Sequence, residues 1–279
     1  MTQNKSKSRS MYVGFDPTAD SLHIGNLVTL ITLLHFQQHG YQPIAVVGGA
    51  TGLIGDPSGR LKERDSLLKD DLEQNVIGIS NVLSKIFQNA LYLTQQQYAM
   101  PDLNVQQRLN SGQGLSFTEF SYQVFQAYDY LCLHQNHNCW LQVSPPKSMG
   151  NISAGCEFVH KYTGNRVHGL TVPLVTTSSG EKLGKSVGNA VWLSADKTSP
   201  YHLYQYFLKT SDEDVSKYLY YFTFTSLDYI SDILTQHQVK CDDSYKEEDC
   251  TLIIKEWSRY MRNGHMTVTC YKIKSLLSE

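Results

Sequence analysis

Apolar positions along this chain follow two rhythms that alternate near its start. Tyr12-Val13-Gly14-Phe15 alternates bulky and small residues as a short buried strand does. Leu27, Leu30, Ile31 and Leu34 then recur at three- and four-residue spacing, which predicts a helix that stops at Gly40. Ile44-Ala45-Val46-Val47 is a continuous apolar run, the pattern of a strand buried on both faces. Strand, helix and strand at this spacing predict a right-handed βαβ unit and a parallel sheet, with ligands expected at the carboxyl ends of the strands.

Further along, Lys62 to Leu93 reads as one mixed-charge, amphipathic helical region, and residues 94–113, with Gln95-Gln96-Gln97 and Pro101, read as irregular. From Ser116 the spacing of Phe117, Phe120, Tyr122, Val124, Phe125, Tyr128 and Leu131 predicts a helix. Trp140 to Val143 reads as a strand broken by Ser144-Pro145-Pro146-Lys147-Ser148, Gly150 to Lys161 as a helix, and Leu170 to Val175 as another strand. A polar loop from Thr176 to Glu181 follows. Tyr201 to Phe224 is an aromatic-rich helical stretch, and the remainder is weakly patterned helix.

Four stretches carry candidate chemistry. Asp16-Pro17-Thr18 breaks the first strand, Asp20 or Ser21 offers a helix N-cap, and His23, Gly25 and Asn26 fall in the first helical turn. Free backbone N–H groups there suit a polyphosphate, although a solvated cap residue reads the same way. Gly48 to Arg60 follows the second strand with five glycines that permit close backbone approach; Asp56 can pair with a cationic group, and Arg60 and Arg64 can meet phosphate. Tyr122, Gln126 and Asp129, spaced by four and three, share a helical face that suits either a small polar ligand or a buried network. Lys182-Leu183-Gly184-Lys185-Ser186 is a cationic loop able to meet charge on phosphate oxygens, or a solvated surface loop.

Composition narrows the picture only a little. With 279 residues, 41% of them hydrophobic, the chain has room for one large domain and a smaller appendage. A net charge of −2 gives no global basic field, so an RNA partner would be held by local patches. The six cysteines form no C-x-x-C pair and read as free thiols of a reducing compartment; Cys132, His134, His137 and Cys139 lack zinc spacing, so no metal site is expected. Without a membrane-length apolar run or a signal-peptide core, the sequence predicts a soluble protein with no membrane partner. The first ten residues, rich in Lys, Ser and Arg, fit the remnant of an organellar transit peptide.

Taken together, the motifs resemble a known family. His23-Ile24-Gly25-Asn26 resembles the HIGH signature of class I aminoacyl-tRNA synthetases, and Lys182 to Ser186 resembles their KMSKS loop. Gly14 to Leu22, Gly48 to Gly52 with Asp56 to Gly59, and Gln126 to Asp129 narrow the resemblance to the tyrosyl-tRNA synthetases of bacterial and mitochondrial type. It implies an α/β fold: a 1–11 tail, a Rossmann-like parallel-sheet catalytic domain over 12–220, and a short, incomplete helical region resembling the anticodon-binding domain over 221–279. It further implies activation of L-tyrosine by ATP, with Mg²⁺ accompanying the nucleotide, and transfer to tRNA(Tyr). The compartment would be the mitochondrial matrix in a eukaryote or the cytoplasm in a bacterium.

By the same resemblance, Tyr12 and Asp129 would bond the phenolic hydroxyl, and Asp56, Tyr122 and Gln126 the α-ammonium group. Thr18 and His23 would stabilise the γ-phosphate, and Asp16 and Asn26 would line the nucleotide site, to which the residue chemistry adds Gly25, Arg60 and Arg64. Lys182, Lys185 and Ser186 would close over the pyrophosphate, Lys185 touching the nucleotide.

The chain departs from the family at Ser144-Pro145-Pro146-Lys147-Ser148, which replaces a Gly-Gly-Ser-Asp-Gln turn that binds the adenylate ribose and faces the tyrosine carboxylate. Two prolines remove backbone donors and Lys147 reverses a charge, so weakened ribose binding is expected. That motivates an alternative, a catalytically impaired or inactive synthetase-like protein that binds tyrosine or RNA. The chain is also short between Tyr92 and Gln106, where the family builds part of the homodimer interface. It is expected to be truncated, without the usual N-terminal helix and last RNA-binding module.

Overall fold

Ser10–Phe15 (β1) is buried at every position but Gly14, as the central strand of a covered sheet must be. The computed structural model describes residues 9–58, 67–87, 91–94, 117–176, 180, 183 and 190–240, apart from the side chains at 91–94, 118, 120, 212 and 236–240. Around β1 lie Gln42–Val47 (β2), Leu91–Thr94 (β3), Cys139–Ser144 (β4) and His168–Thr171 (β5). The sheet order is β3-β2-β1-β4-β5, and every pairing is parallel. The α/β parallel-sheet expectation therefore holds. Leu27–Gln38 (α1) links β1 to β2, Phe117–His137 (α4) precedes β4, and Met149–Thr163 (α5) links β4 to β5.

The chain divides into two compact units, neither a single stretch of sequence. One comprises Met1–Asp20, Thr32–Leu83 and Asn89–Pro173 and holds all five strands. Its core gathers Tyr12, Ile44, Val46, Tyr130, Leu131, Leu133, Cys139, Val159 and Val167 between the sheet and α4 and α5. The second comprises Ser21–Ile31, Ser84–Gln88 and Leu174–Glu279. In it the segment near Val191 lies along Leu22 to Ile24: Ile24 N–H donates to Val191 O and Leu193 N–H to Leu22 O, both at 2.8 Å. Pro200–Leu208 (α6), Asp212–Phe222 (α7) and Leu227–Lys240 (α8) follow, and the rings of Phe207, Tyr218 and Phe222 pack together.

The glycine-rich stretch after β2 contains a short helix, Gly49–Ile54 (α2), closed by Gly55 N–H on Thr51 O at 2.7 Å. Three expectations about elements change. The Lys62–Leu93 region is not one helix: Lys69–Ile86 (α3) is helical, and Leu91–Thr94 is strand β3, in register with Ile44–Val47. The strand beginning near Leu170 starts two residues earlier and stops at Thr171, since pairing with β4 ends at Ser144. The Tyr201–Phe224 stretch is two helices, the second preceded by Ser211 in extended conformation.

Candidate active site

The carboxyl end of β1 delivers Asp16, Pro17 and Thr18 into a tight turn in which Thr18 N–H donates to Asp16 O at 2.8 Å. Helix α3 braces that turn. Asn75 Nδ2 donates to Pro17 O at 2.9 Å, and α3 approaches so closely at Gly78 that a Cβ there would run into the backbone of Asp20. From α4 the Tyr122 hydroxyl donates to Asp16 Oδ2 at 2.9 Å, so the turn after β1 and the polar face of α4 meet.

The three α4 residues chosen by spacing do share that face. Tyr122 reaches Asp16, Gln126 Oε1 accepts from Asn151 Nδ2 of α5 at 3.1 Å, and the Asp129 carboxylate acts electrostatically on Tyr12. Tyr12 is 1% exposed, its ring 5.1 Å from that of Tyr130, and its hydroxyl has no hydrogen-bond partner. Burial first, then the charge of Asp129, holds its phenol proton well above the ordinary tyrosine range. Gln142 of β4, directly in register with Tyr12, likewise buries an unpartnered Oε1. Sequence reasoning passed over Gln142 and Asn151; a glutamine inside the apolar run Trp140 to Val143 was the available signal.

Asp56, beyond α2, is 4% exposed. Its Oδ1 accepts the Ser58 N–H at 3.0 Å, and its Oδ2 accepts from Lys147 Nζ at 3.0 Å. Lys147 arrives through the turn over residues 144–148. Pro145 is extended, at φ −62° and ψ 156°, and Pro146–Ser148 forms a 3₁₀ turn that runs directly into α5, with Ser148 N–H donating to Pro145 O at 3.0 Å. Proline at the first position of that turn removes an N–H that no earlier carbonyl would have received.

In the second unit His23 is itself the helix cap, which corrects the assignment of Asp20 or Ser21 to that role. Its Nδ1 accepts the Gly25 N–H at 3.0 Å, and Asn26 Oδ1 accepts the His23 N–H at 3.1 Å, a reciprocal capping box ahead of α1. The first turn is 3₁₀, over Ile24–Asn26. Burial lowers the His23 pKa, partly countered by its backbone hydrogen bond, so the ring is neutral near pH 7 with its proton on Nε2. Gly25 has no room for a side chain, because a Cβ would meet the Leu183 carbonyl and the His23 ring. Trp192 places its ring edge-on to His23, centroids 6.0 Å apart.

Arg60, Arg64, Lys182, Lys185 and Ser186 lie outside the described residues. Within the Cys132 to Cys139 group, His134 joins Cys139 O through Nδ1 at 2.9 Å and Asn165 Nδ2 through Nε2 at 3.0 Å, and burial pushes the Cys139 thiol up to about 12. No helix among the described residues is long and apolar enough to cross a membrane.

Comparison with known proteins then adds three findings. The family model for class I tRNA synthetases (W and Y) matches residues 4–102 and 92–251. Mitochondrial tyrosine--tRNA ligase of Drosophila melanogaster is 41% identical, the alignment covering 95% of this chain and 66% of that protein; tyrosine--tRNA ligase of Flavobacterium psychrophilum is 43% identical over 83% of this chain and 61% of its own length. The chain thus spans less than two thirds of these relatives. Among solved structures, a C-terminally truncated Aspergillus nidulans mitochondrial tyrosyl-tRNA synthetase superposes with a TM-score of 0.79 at 26% identity, covering 96% of this chain and 86% of that one.

Proposed function

Because this chain belongs to the class I tRNA synthetases of the W and Y family, we propose that it activates L-tyrosine with ATP, giving tyrosyl-adenylate and pyrophosphate, and passes the tyrosyl group to tRNA(Tyr). The observation that carries tyrosine as the substrate is the buried, unpartnered Tyr12 hydroxyl in the field of Asp129. A substrate phenol would donate to Asp129 and accept from Tyr12. Phenylalanine would leave the buried Tyr12 hydroxyl desolvated and unpaired and would offer Asp129 no donor, so it is rejected by that cost rather than by shape.

At the other end of the amino acid, Asp56, Tyr122 and Gln126 take the α-ammonium group. Asp16, Thr18, Gly25, Asn26, Arg60 and Arg64 are the residues assigned to ATP. The tyrosine carboxylate attacks the α-phosphorus, and charge passes to the departing pyrophosphate oxygens. Neutral His23 offers Nε2–H to that charge with Thr18, while Lys182, Lys185 and Ser186 bring cationic and hydroxyl donors, so the chain contributes position and electrostatic stabilisation. Mg²⁺ would accompany ATP and neutralise phosphate charge. Mitochondrial and bacterial ligases both stand among the relatives; the matrix is the compartment in a eukaryote, the cytoplasm in a bacterium, and a homodimer the expected assembly.

Tyrosine-dependent exchange of labelled pyrophosphate into ATP tests the first step. Exchange that Asp129→Asn weakens supports the assignment; folded protein that gives no exchange above blank overturns it.

A further inference from the structure

Lys147 and Asp56 form an ion pair unlike the exposed one-turn pairs Lys69–Glu73 and Lys161–Glu157. It joins the loop after α2 to the turn after β4. The carboxylate side chain is 5% exposed and the lysine 35%. One partner is thus a desolvated anion that needs a cation, and the other is a cation that keeps partial contact with water. With Ser58 N–H on Oδ1 and Lys147 Nζ on Oδ2, each carboxylate oxygen accepts a donor from the protein itself.

We propose that Lys147 is a specificity-determining residue: a tethered ammonium that occupies Asp56 in the ligand-free protein, which a substrate amino group must displace in order to bind. The inference rests on the reading that Asp56 receives the α-ammonium of tyrosine. Exchange is one cation for another on the same oxygen, so the gain from pairing the substrate is offset by unpairing Lys147. The lysine then returns to solvent. A ligand with the same phenol and carboxylate but no amino group does not compete for Asp56 and meets no such barrier. The two prolines give the device its geometry, since Pro145 in extended conformation and Pro146 opening the 3₁₀ turn fix where Lys147 starts.

The test is calorimetric titration of the full chain with L-tyrosine and with 3-(4-hydroxyphenyl)propanoate. In Lys147→Gln, whose folding is checked by circular dichroism, tyrosine affinity is expected to rise at least roughly tenfold while affinity for the des-amino acid stays within about twofold. Lys147→Arg, which keeps the charge and grips a carboxylate through two N–H groups, is expected to bind tyrosine at least about threefold more weakly than the wild type, and it decides the matter if the Gln variant does not fold. The inference is overturned, and the tyrosine reading kept, if wild type binds tyrosine and the substitutions leave that affinity unmoved or shift both ligands alike. If no variant and no wild-type protein binds tyrosine, the activation reading falls and takes this inference with it.

Discussion

A hydroxyl buried without a partner costs folding energy that a ligand can recover. Replacing Tyr12 by Phe removes the unpartnered group and leaves the ring against Tyr130, so the ligand-free protein is expected to gain up to about 1 kcal/mol in urea unfolding and to lose affinity for tyrosine. A loss of stability would mean that the hydroxyl is paired. His23 sets a pH dependence of definite sign. Burial disfavours the imidazolium in the folded chain, so the folded ring takes up its proton at lower pH than the unfolded ring, whose ordinary value is 6.5. Its contribution is therefore complete above that value and drains away as pH falls below it. His35 is lowered by burial and then by His39, and shares the direction. His23→Asn, which keeps an acceptor at the cap, should flatten but not abolish the fall in stability between about pH 7 and 5.5 in chemical unfolding. At this scale the sequence showed which residue types could gather, as with Tyr122, Gln126 and Asp129 on one face. It could not show that His23 caps its own helix or that Lys147 reaches Asp56, because both depend on dihedral angles and on residues brought together from distant parts of the chain.

Elements with one clear period were legible: α1, α4, α5 and β4 fall within a few residues of where spacing puts them. Those missed had their signal masked by a competing one. Glycines argue against a helix, yet α2 forms because its backbone bonds close over Gly49–Ile54. Strand β3 is four residues long beside an eighteen-residue helix, and its apolar positions extended the helical pattern until pairing with β2 decided between them. Helix α3 carries a testable function as an element, because it holds the Asp16 to Asp20 turn through Asn75 and through the absent side chain of Gly78. Gly78→Ala gains about 1 kcal/mol of helix propensity, but the new methyl group meets backbone, so a net loss of about 1–3 kcal/mol is expected in chemical unfolding. A stabilised variant would show that α3 does not press on the turn.

For the whole molecule, the two units interleave along the chain. Ser21–Ile31 belongs with Leu174–Glu279, although nearly the whole sheet-bearing unit lies between them in sequence. Residues 174–279 expressed alone lack the Leu22 and Ile24 backbone groups that bond Leu193 and Val191. That fragment is expected to show no cooperative thermal transition by near-ultraviolet circular dichroism, and a sharp transition would contradict the division. The strand order has a consequence for how the chain is made. Ser10 pairs with Gln42 on one side and Cys139 on the other, so on the ribosome β1 and β2 can zip together long before β4 has been translated. Throughout that interval the second edge of β1, with Met11, Tyr12 and Val13, is an open row of donors and acceptors flanked by apolar side chains. A neighbouring nascent chain presents the same edge, which makes the interval before Cys139 emerges the period of greatest exposure to misassembly and to chaperone capture.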